Sequence, residues 1–183
     1  VVMPATVQDA RDLLISSVLS PDPIIFIDDR WLYEEEETIH PINIENIINI
    51  KPQTLNKGDH LTIVASGYSS YISKKACSIL KLDNISIDLI DLRVVSPLDT
   101  NLIIESVKKT KNLLCVDGGW SACGMASEVI TSILEKIDPQ LLLSPPQRIT
   151  LPDSPAPSSI ELEKAYYTTE YDIVKKCKLM LKR

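Results

Sequence analysis

From Leu61 onward, two spacings of apolar residues alternate along the chain. Leu61 to Ala65 is a short continuous apolar run and predicts a buried strand. Ile72, Ala76, Ile79 and Leu80 follow at helical spacing, with Ser69 or Ser70 as the expected cap. Ile85 to Leu92 predicts a second strand. Asp99 or Thr100 caps a helix carrying Ile103, Ile104 and Val107. Leu113 to Val116 predicts a third strand, and Met125 to Ile137 a helix with Val129, Ile130, Ile133 and Leu134 on one face. Gln147 to Thr150 is a short fourth strand, and a broken helix runs from Ser159 to Leu181. Strands alternating with helices of this length imply β-α-β units and a mostly parallel sheet covered on both faces.

The first 60 residues follow a different pattern. Thr6-Val7-Gln8-Asp9 has the form of a capping box with Asp in the Glu position, and Ala10, Leu13, Leu14 and Val18 follow at helical spacing. Pro21 and Pro23 end that helix, and Ile24 to Ile27 predicts a buried strand with no visible partner. Residues 29–59 hold an acidic run, Pro41, Pro52 and an Ile/Asn alternation, which reads as a linker covering surface. The expected division is 1–37 as the tail end of a preceding domain, 38–60 as linker, and 61–183 as the main domain.

Composition narrows this picture. Apolar residues at 44% and charged residues at 24% exclude bulk disorder, and no apolar run approaches the roughly 18 residues of a membrane span. The first residue is Val1, and the opening VVMPATVQDARDLL reads like the middle of a protein, so a fragment or processed product is expected. The net charge of −6 is local: residues 1–37 hold nine acids and two bases, residues 38–183 sixteen acids and seventeen bases. With no basic stripe carrying aromatics, nucleic-acid binding is not expected. Cys77, Cys115, Cys123 and Cys177 form no C-x-x-C pair, and His40 and His60 lack metal-ligand spacing, so reduced structural thiols and no metal site are expected. The Lys-rich tail, with Lys175, Lys176, Lys178, Lys182 and Arg183, reads as a solvated helix end.

In a parallel sheet, ligands and partners meet the loops at the carboxyl ends of the strands. Those loops hold Tyr68, Arg93, Asp117, Gly119 and Trp120, and the proline-rich arm Pro152–Pro157 that includes Asp153. Asp117-Gly118-Gly119-Trp120 fits neither G-x-G-x-x-G nor a P-loop, and reads as a tight turn with Gly124 permitting close packing. Ser66 to Ser70 lacks the G-x-S-x-G elbow of a nucleophilic serine. Arg93 is placed either to bind an anion or to bond a carboxylate across an interface. Trp120 beside a rigid turn has the character of an interface anchor.

Taken together, IDLRVVSPLDTNLIIESVKKTKNLLCVDGGWSACGMASEVI resembles the C-terminal domain of the beta subunit of thiamine-diphosphate-dependent 2-oxoacid dehydrogenases, within the transketolase superfamily. The matching positions are Ile90 to Asp99, Asp117, Gly119, Trp120, Gly124 and Glu128. PATVQDARDLLISSVLSPDPIIFIDDRWLY resembles the end of that family's pyrimidine-binding domain, and LPDSPAPSSIELEKAYYTTEYDIVKK its C-terminal loop and helices. Two departures stand out. The turn carries one acid before Gly-Gly-Trp where the family usually has two before Gly-Trp, and Ser158-Ser159 stand where branched-chain members tend to carry a histidine.

The resemblance implies a three-layer α/β/α sandwich with a mixed, mainly parallel sheet of about five strands, one edge strand running backwards. It implies an oxidoreductase that decarboxylates a 2-oxo acid and transfers the acyl group to lipoyl-lysine, a disulfide acceptor. Thiamine diphosphate and Mg²⁺ would serve the full-length enzyme, with none expected on this chain, which by itself would be inactive. The implied partners are a second beta-type chain in a homodimer, an alpha-type subunit or domain, and a lipoyl-bearing acyltransferase core. The near-neutral charge of residues 38–183 is a poor match for core docking. Arg93, Asp117, Gly119, Trp120, Tyr68 and Asp153 are the expected interface or assembly residues, and the compartment is the cytoplasm or an organelle matrix. Two other readings are a transketolase or deoxyxylulose-phosphate-synthase-type enzyme and a non-enzymatic interaction module.

Overall fold

A computed structural model describes residues 1–182. Arg183 of the basic tail lies outside the described residues. Five strands form one sheet: β1 (Gln53–Asn56), β2 (Leu61–Ala65), β3 (Ile87–Asp91), β4 (Leu113–Trp120) and β5 (Gln147–Leu151). Their order is β1-β3-β2-β4-β5. Four strands are parallel, with Leu61 opposite Ile87, Thr62 opposite Leu113 and Leu114 opposite Gln147. β1 runs antiparallel along the edge, Thr54 opposite Ile90. This is the mixed, mainly parallel sheet expected, and part of the segment read as linker supplies its reversed strand. Pro52 and the polar composition of Gln53–Asn56 hid that strand from the apolar pattern.

Both faces of the sheet are covered because β2 and β3 are buried at every position. Side chains alternate between faces, so Leu61, Ile63 and Ala65 pack with Leu89 against α2 (Gly67–Leu82) and α6 (Glu170–Leu181). Val64, Ile90 and Cys115 point to the other face and meet α3 (Asn101–Thr110) and α4 (Met125–Leu134) through Ile103, Val107, Val129 and Ile133. A short α5 (Ile160–Tyr166) precedes α6. Burial pushes the Cys77 and Cys177 thiols up to about 12 and raises Cys115, as inert core cysteines require; Cys123 instead lies exposed.

The N-terminal segment packs on the carboxyl end of β3 through its own small core. Val2, Leu13, Ile47, Ile50 and Val94 are buried together. α1 (Val7–Val18) forms where the capping signal placed it, with the Thr6 hydroxyl accepting from the Asp9 amide at 3.1 Å. The inward face corrects the periodic reading. Asp9, Asp12, Leu13 and Ser16 are buried, while Leu14 and Val18 are exposed. The Asp9 carboxylate does not complete the capping box, because Arg93 and Gln53 hold it. Ile24–Ile27 is a second correction. It is a single bridge, Phe26 to Val2, and Ile25 and Ile27 are exposed because no neighbouring strand extends the pairing.

Two further local readings change. Ser66, not Ser69 or Ser70, precedes α2, with Gly67 in the left-handed region at φ +53°. That backbone conformation favours glycine; a Cβ there would also sit 2.9 Å from the Met3 Cε, the flexible end of a side chain that can move aside. Gly118 and Gly119 do not make a turn. They continue β4 out to Trp120, and the left-handed residue comes later, at Cys123.

Candidate functional site

The carboxyl ends of β2, β3 and β4 carry most of the residues singled out by sequence. Arg93 lies just beyond β3. Its Nε and Nη2 donate to one Asp9 carboxylate oxygen at 3.0 and 2.6 Å, and its Nη1 donates to the Lys51 carbonyl at 3.2 Å. Arg93 therefore bonds both a carboxylate and a carbonyl, and ties α1 and the segment before β1 to the sheet. The other Asp9 oxygen accepts from the Gln53 side-chain amide, which also reaches Asp91 Oδ2 at 3.3 Å. Asp91 Oδ1 accepts from the Ser70 hydroxyl at 2.7 Å. The result is a continuous polar chain, Arg93–Asp9–Gln53–Asp91–Ser70, crossing four segments. Asp91 is fully buried, and burial pushes its carboxyl up to about 7 despite the bonds from Ser70 and Gln53.

Asp117 acts locally. Its Oδ2 accepts from the Ala126 amide and its Oδ1 from the Gly119 amide, both at 2.9 Å, so it caps α4 from within the preceding strand. That geometry requires Gly124. A Cβ there would lie 2.2 Å from the Trp120 carbonyl oxygen and 2.9 Å from Asp117 Oδ2. Trp120 is 48% exposed, and its Nε1 donates to the Tyr166 hydroxyl at 3.2 Å, which in turn donates to the Ser154 carbonyl at 2.7 Å. Trp120 thus holds the proline-rich arm without being buried by it. Asp153 is exposed on that arm.

Tyr68, Asp117 and Gly119 line a common cavity of about 360 Å³, together with Trp31, Ser66, Ser69 and Met125. Trp31 meets Tyr68 and Tyr167 edge-on at centroid distances of 4.7 and 4.6 Å, forming an aromatic wall. Partial burial raises the Tyr68 phenol. Arg93, Trp120 and Asp153 are not among the cavity residues. No serine here meets a histidine. Away from the cavity, His60, just before β2, accepts from the amide of Ser86, just before β3, at 2.9 Å and faces its hydroxyl.

Asp9, Gln53, Asp91 and Trp31 were missed by sequence reasoning. Asp91 left a signal: it is an acid ending a strand buried at every position, which demands partners. Asp9 left none, since its partner lies 84 residues away.

The sequence pattern of the family described as "Transketolase, C-terminal domain" matches residues 51–173, about two thirds of the chain. The chain belongs to this family. Among curated relatives, the "Pyruvate dehydrogenase E1 component subunit beta" of Rickettsia bellii is 35% identical over 174 residues, covering 95% of this chain and 53% of the relative. The mitochondrial protein of that name from Saccharomyces cerevisiae is 33% identical over 187 residues, covering 99% and 50%. The Bacillus subtilis protein is 32% identical, covering 99% and 55%. The chain spans about half the length of the curated relatives it matches. A solved structure described as "Split gene transketolase, inactive beta4 tetramer" superimposes with a TM-score of 0.75 at 19% identity, covering 99% of this chain and 57% of that one. That likeness speaks for the fold. The family match begins at Lys51, so it takes in β1 and leaves α1 and the Asp9 half of the polar chain outside.

Proposed function

We propose that this transketolase C-terminal domain, with its N-terminal segment, is the C-terminal half of the beta subunit of a thiamine-diphosphate-dependent 2-oxoacid dehydrogenase of the pyruvate type, and that its role is assembly. The observation that carries this reading is the likeness to pyruvate dehydrogenase beta subunits, 35% identity over 95% of the chain. The intact enzyme decarboxylates a 2-oxo acid and passes the acyl group to lipoyl-lysine. Among the described residues no three His, Cys, Asp or Glu side chains gather as a cation site, and no Lys or Arg lines the cavity. These residues do not fit a diphosphate with its metal. The reading therefore assigns thiamine diphosphate, Mg²⁺ and the chemistry to parts of the enzyme outside this chain. An assay of the chain alone with pyruvate, thiamine diphosphate and Mg²⁺ is expected to give no turnover; sustained turnover overturns the assignment.

Assembly is supported by the half-exposed Trp120, braced against the arm that carries Asp153, and by the exposed apolar residues Ile25, Trp31 and Tyr33. Aromatic anchors on rigid supports have hot-spot character. We assign to this surface a second copy of the chain first, and an alpha-type subunit next. The lipoyl-bearing core ranks last, because residues 38–183 are nearly neutral. Sedimentation of the wild type against Trp120→Ala tests the pairing. A wild-type dimer that the substitution weakens about tenfold or more supports it. A wild-type monomer at high concentration sinks it.

A further inference from the structure

We infer that the buried pair Asp9 and Asp91 is a proton-operated latch for α1. While the pair holds a proton, α1 stays seated on the sheet; when the proton leaves, α1 lifts away and the sheet remains folded. The inference does not depend on the enzyme assignment above. The way α1 is held makes it possible. A helix lying on a domain core is ordinarily held by an apolar stripe. α1 instead turns Asp9, Asp12, Leu13 and Ser16 inward and leaves Leu14 and Val18 exposed. Leu13 is the residue it contributes to the small core with Val2, Ile47, Ile50 and Val94. The seat of α1 therefore depends on what its buried carboxylates can bond.

Asp9 and Asp91 are 2% and 0% exposed, and their carboxylates share the Gln53 side-chain amide. One cation lies beside both. Arg93 turns Nε and Nη2 to Asp9 and Nη1 to the Lys51 carbonyl, so its fork is fully committed. The other donor to Asp91 is the neutral Ser70 hydroxyl. Two ionised carboxylates and one guanidinium leave a buried negative charge uncompensated, which is costly. A proton on Asp91 removes that charge. The alternative is to part the two acids. They sit on different elements, Asp9 on α1 and Asp91 on β3, so lifting α1 separates them and lets water reach both.

The groups facing Asp91 are Asp9 from α1, Gln53 from β1, Ser70 from α2 and Arg93 beyond β3. Asp12, on the same side of α1, behaves differently. Burial works against its charge, but the bonds from Arg11 and Gln8 outweigh burial and hold its carboxyl below the usual range. His40 meets α1 through its backbone, its amide donating to Gln8 and its carbonyl accepting from Arg11, so its ring charge does not make those bonds. Burial sets the Asp91 carboxyl at about 7, and release of α1 returns it toward the ordinary 3.8. Opening is therefore favoured progressively as pH rises between those two values and levels off above about 7. Ile27, Asp29 and Trp31 follow α1 in the chain and line the cavity against Tyr68 and Tyr167, so release of α1 also loosens that wall.

Hydrogen exchange of the whole protein between pH 5 and 8, each rate divided by that of unstructured chain at the same pH, tests this. The opening constant of the α1 amides is expected to rise about tenfold per pH unit up to about pH 7 and then level off. At pH 7 it is expected to exceed that of the α3 amides about a hundredfold or more, because the sheet stays folded. Asp91→Asn is expected to remove the rise. Ser70→Ala takes a donor from the ionised carboxylate and is expected to carry the rise beyond pH 7; it stands in if the asparagine variant fails to fold. The proposal is overturned if the wild-type α1 opening does not rise from pH 5 to 7, or if α1 and α3 share one opening constant. It is equally overturned if Asp91→Asn keeps the rise or, where that variant does not fold, if Ser70→Ala levels off at the wild-type pH.

Discussion

β3 carries two buried carboxylates, Asp88 and Asp91, and the fold treats them oppositely. Asp88 faces α3, where Lys109 lies 2.8 Å away, the Ser106 hydroxyl donates to it, and the Gly58 amide adds a third bond. Thr62, Ser106 and Thr110 continue that patch at 2.7 Å spacings. Asp91, three residues on, faces α2. It has hydroxyl and amide donors only, because the nearby cation, Arg93, is bonded to Asp9. One buried acid has its own counter-charge, and the other sits beside a second acid and shares an amide with it. The contrast teaches that the amino end of the sheet is closed by a self-sufficient polar patch, whereas the carboxyl end is closed by a chain of contacts reaching into α1. Only the second makes the N-terminal segment and the sheet depend on one another.

Removing Arg93 breaks that contrast most severely. Asp9, with 3% of its side chain exposed, would be left beside Asp91 without a cation. Arg93→Ala is expected to destabilise the protein by about 3–5 kcal/mol, the usual cost of stranding one member of a buried pair. Arg93→Lys keeps the charge but loses the planar fork to Asp9 and the Lys51 carbonyl, and should recover only part. Urea unfolding of the three proteins at pH 7 measures this. A loss below about 1 kcal/mol for the alanine variant would mean Asp9 relaxes to solvent.

Titrating Asp91 sharpens the comparison. Its folded pKa, about 7, stands above the ordinary 3.8, so the native state keeps a proton that the unfolded chain has already released. The contribution to stability is full below about pH 4 and is lost as pH rises through about 7. Arg93, Asp9, Gln53 and Ser70 are the groups facing this carboxyl, and none supplies it with an uncommitted charge. Asp91→Asn is expected to flatten the decline and to be the more stable protein at pH 8, by about 1–3 kcal/mol. At pH 5 the two should lie close together. Equal slopes for both proteins between pH 5 and 8 would show that another group carries the dependence.

What the sequence made legible divides along the same line. Strands β2 to β5 and helices α2 to α4 and α6 follow from apolar spacing, since each buries its stripe against the sheet whatever its distant partners are. The elements that depended on remote contacts were not legible. β1 is polar and exists through pairing with β3. α1 was correctly placed but turned the wrong way, because Asp9 and Asp12 face inward to partners 31 to 84 residues away. Gly118 and Gly119 looked like a turn because glycine pairs usually are, yet the β4–β5 pairing keeps them extended with one register shift. At the candidate site, Arg93 and Trp120 were recognisable as anchors from their positions at strand ends. Their actual partners, Asp9 and Tyr166, were not.

Lys109→Ala should cost less than the loss of Arg93. The Lys109 side chain is 44% exposed, so water partly replaces it, and Asp88 keeps Ser106 and the Gly58 amide. About 1–2 kcal/mol is expected, between the values for exposed and buried pairs. The wild type should lose part of this advantage in 1 M NaCl, where screening acts within about 3 Å. The Arg93–Asp9 pair, more deeply buried, should respond less to salt.

The smallest effect isolates the hydroxyl at the centre of the amino-end patch. Thr62 is fully buried on β2, and its Oγ1 lies 2.7 Å from both Ser106 Oγ and Thr110 Oγ1. Thr62→Val keeps the shape and the β-branched fit to the strand, so little packing is lost. The change leaves two hydroxyls short of one partner each. Both retain another: Ser106 donates to Asp88, and Thr110 donates to the Asn112 carbonyl at 3.1 Å. Because neither is orphaned, the expected cost is about 1 kcal/mol, the net worth of ordinary hydrogen bonds. In an Arg93→Ala background the same substitution should add its full increment, since the two patches lie at opposite ends of the sheet and share no contact. A double-mutant cycle reads this directly. A coupling above about 0.5 kcal/mol would show that the sheet's two ends are not independent, and that the separation between Asp88 and Asp91 is less complete than their partners make it.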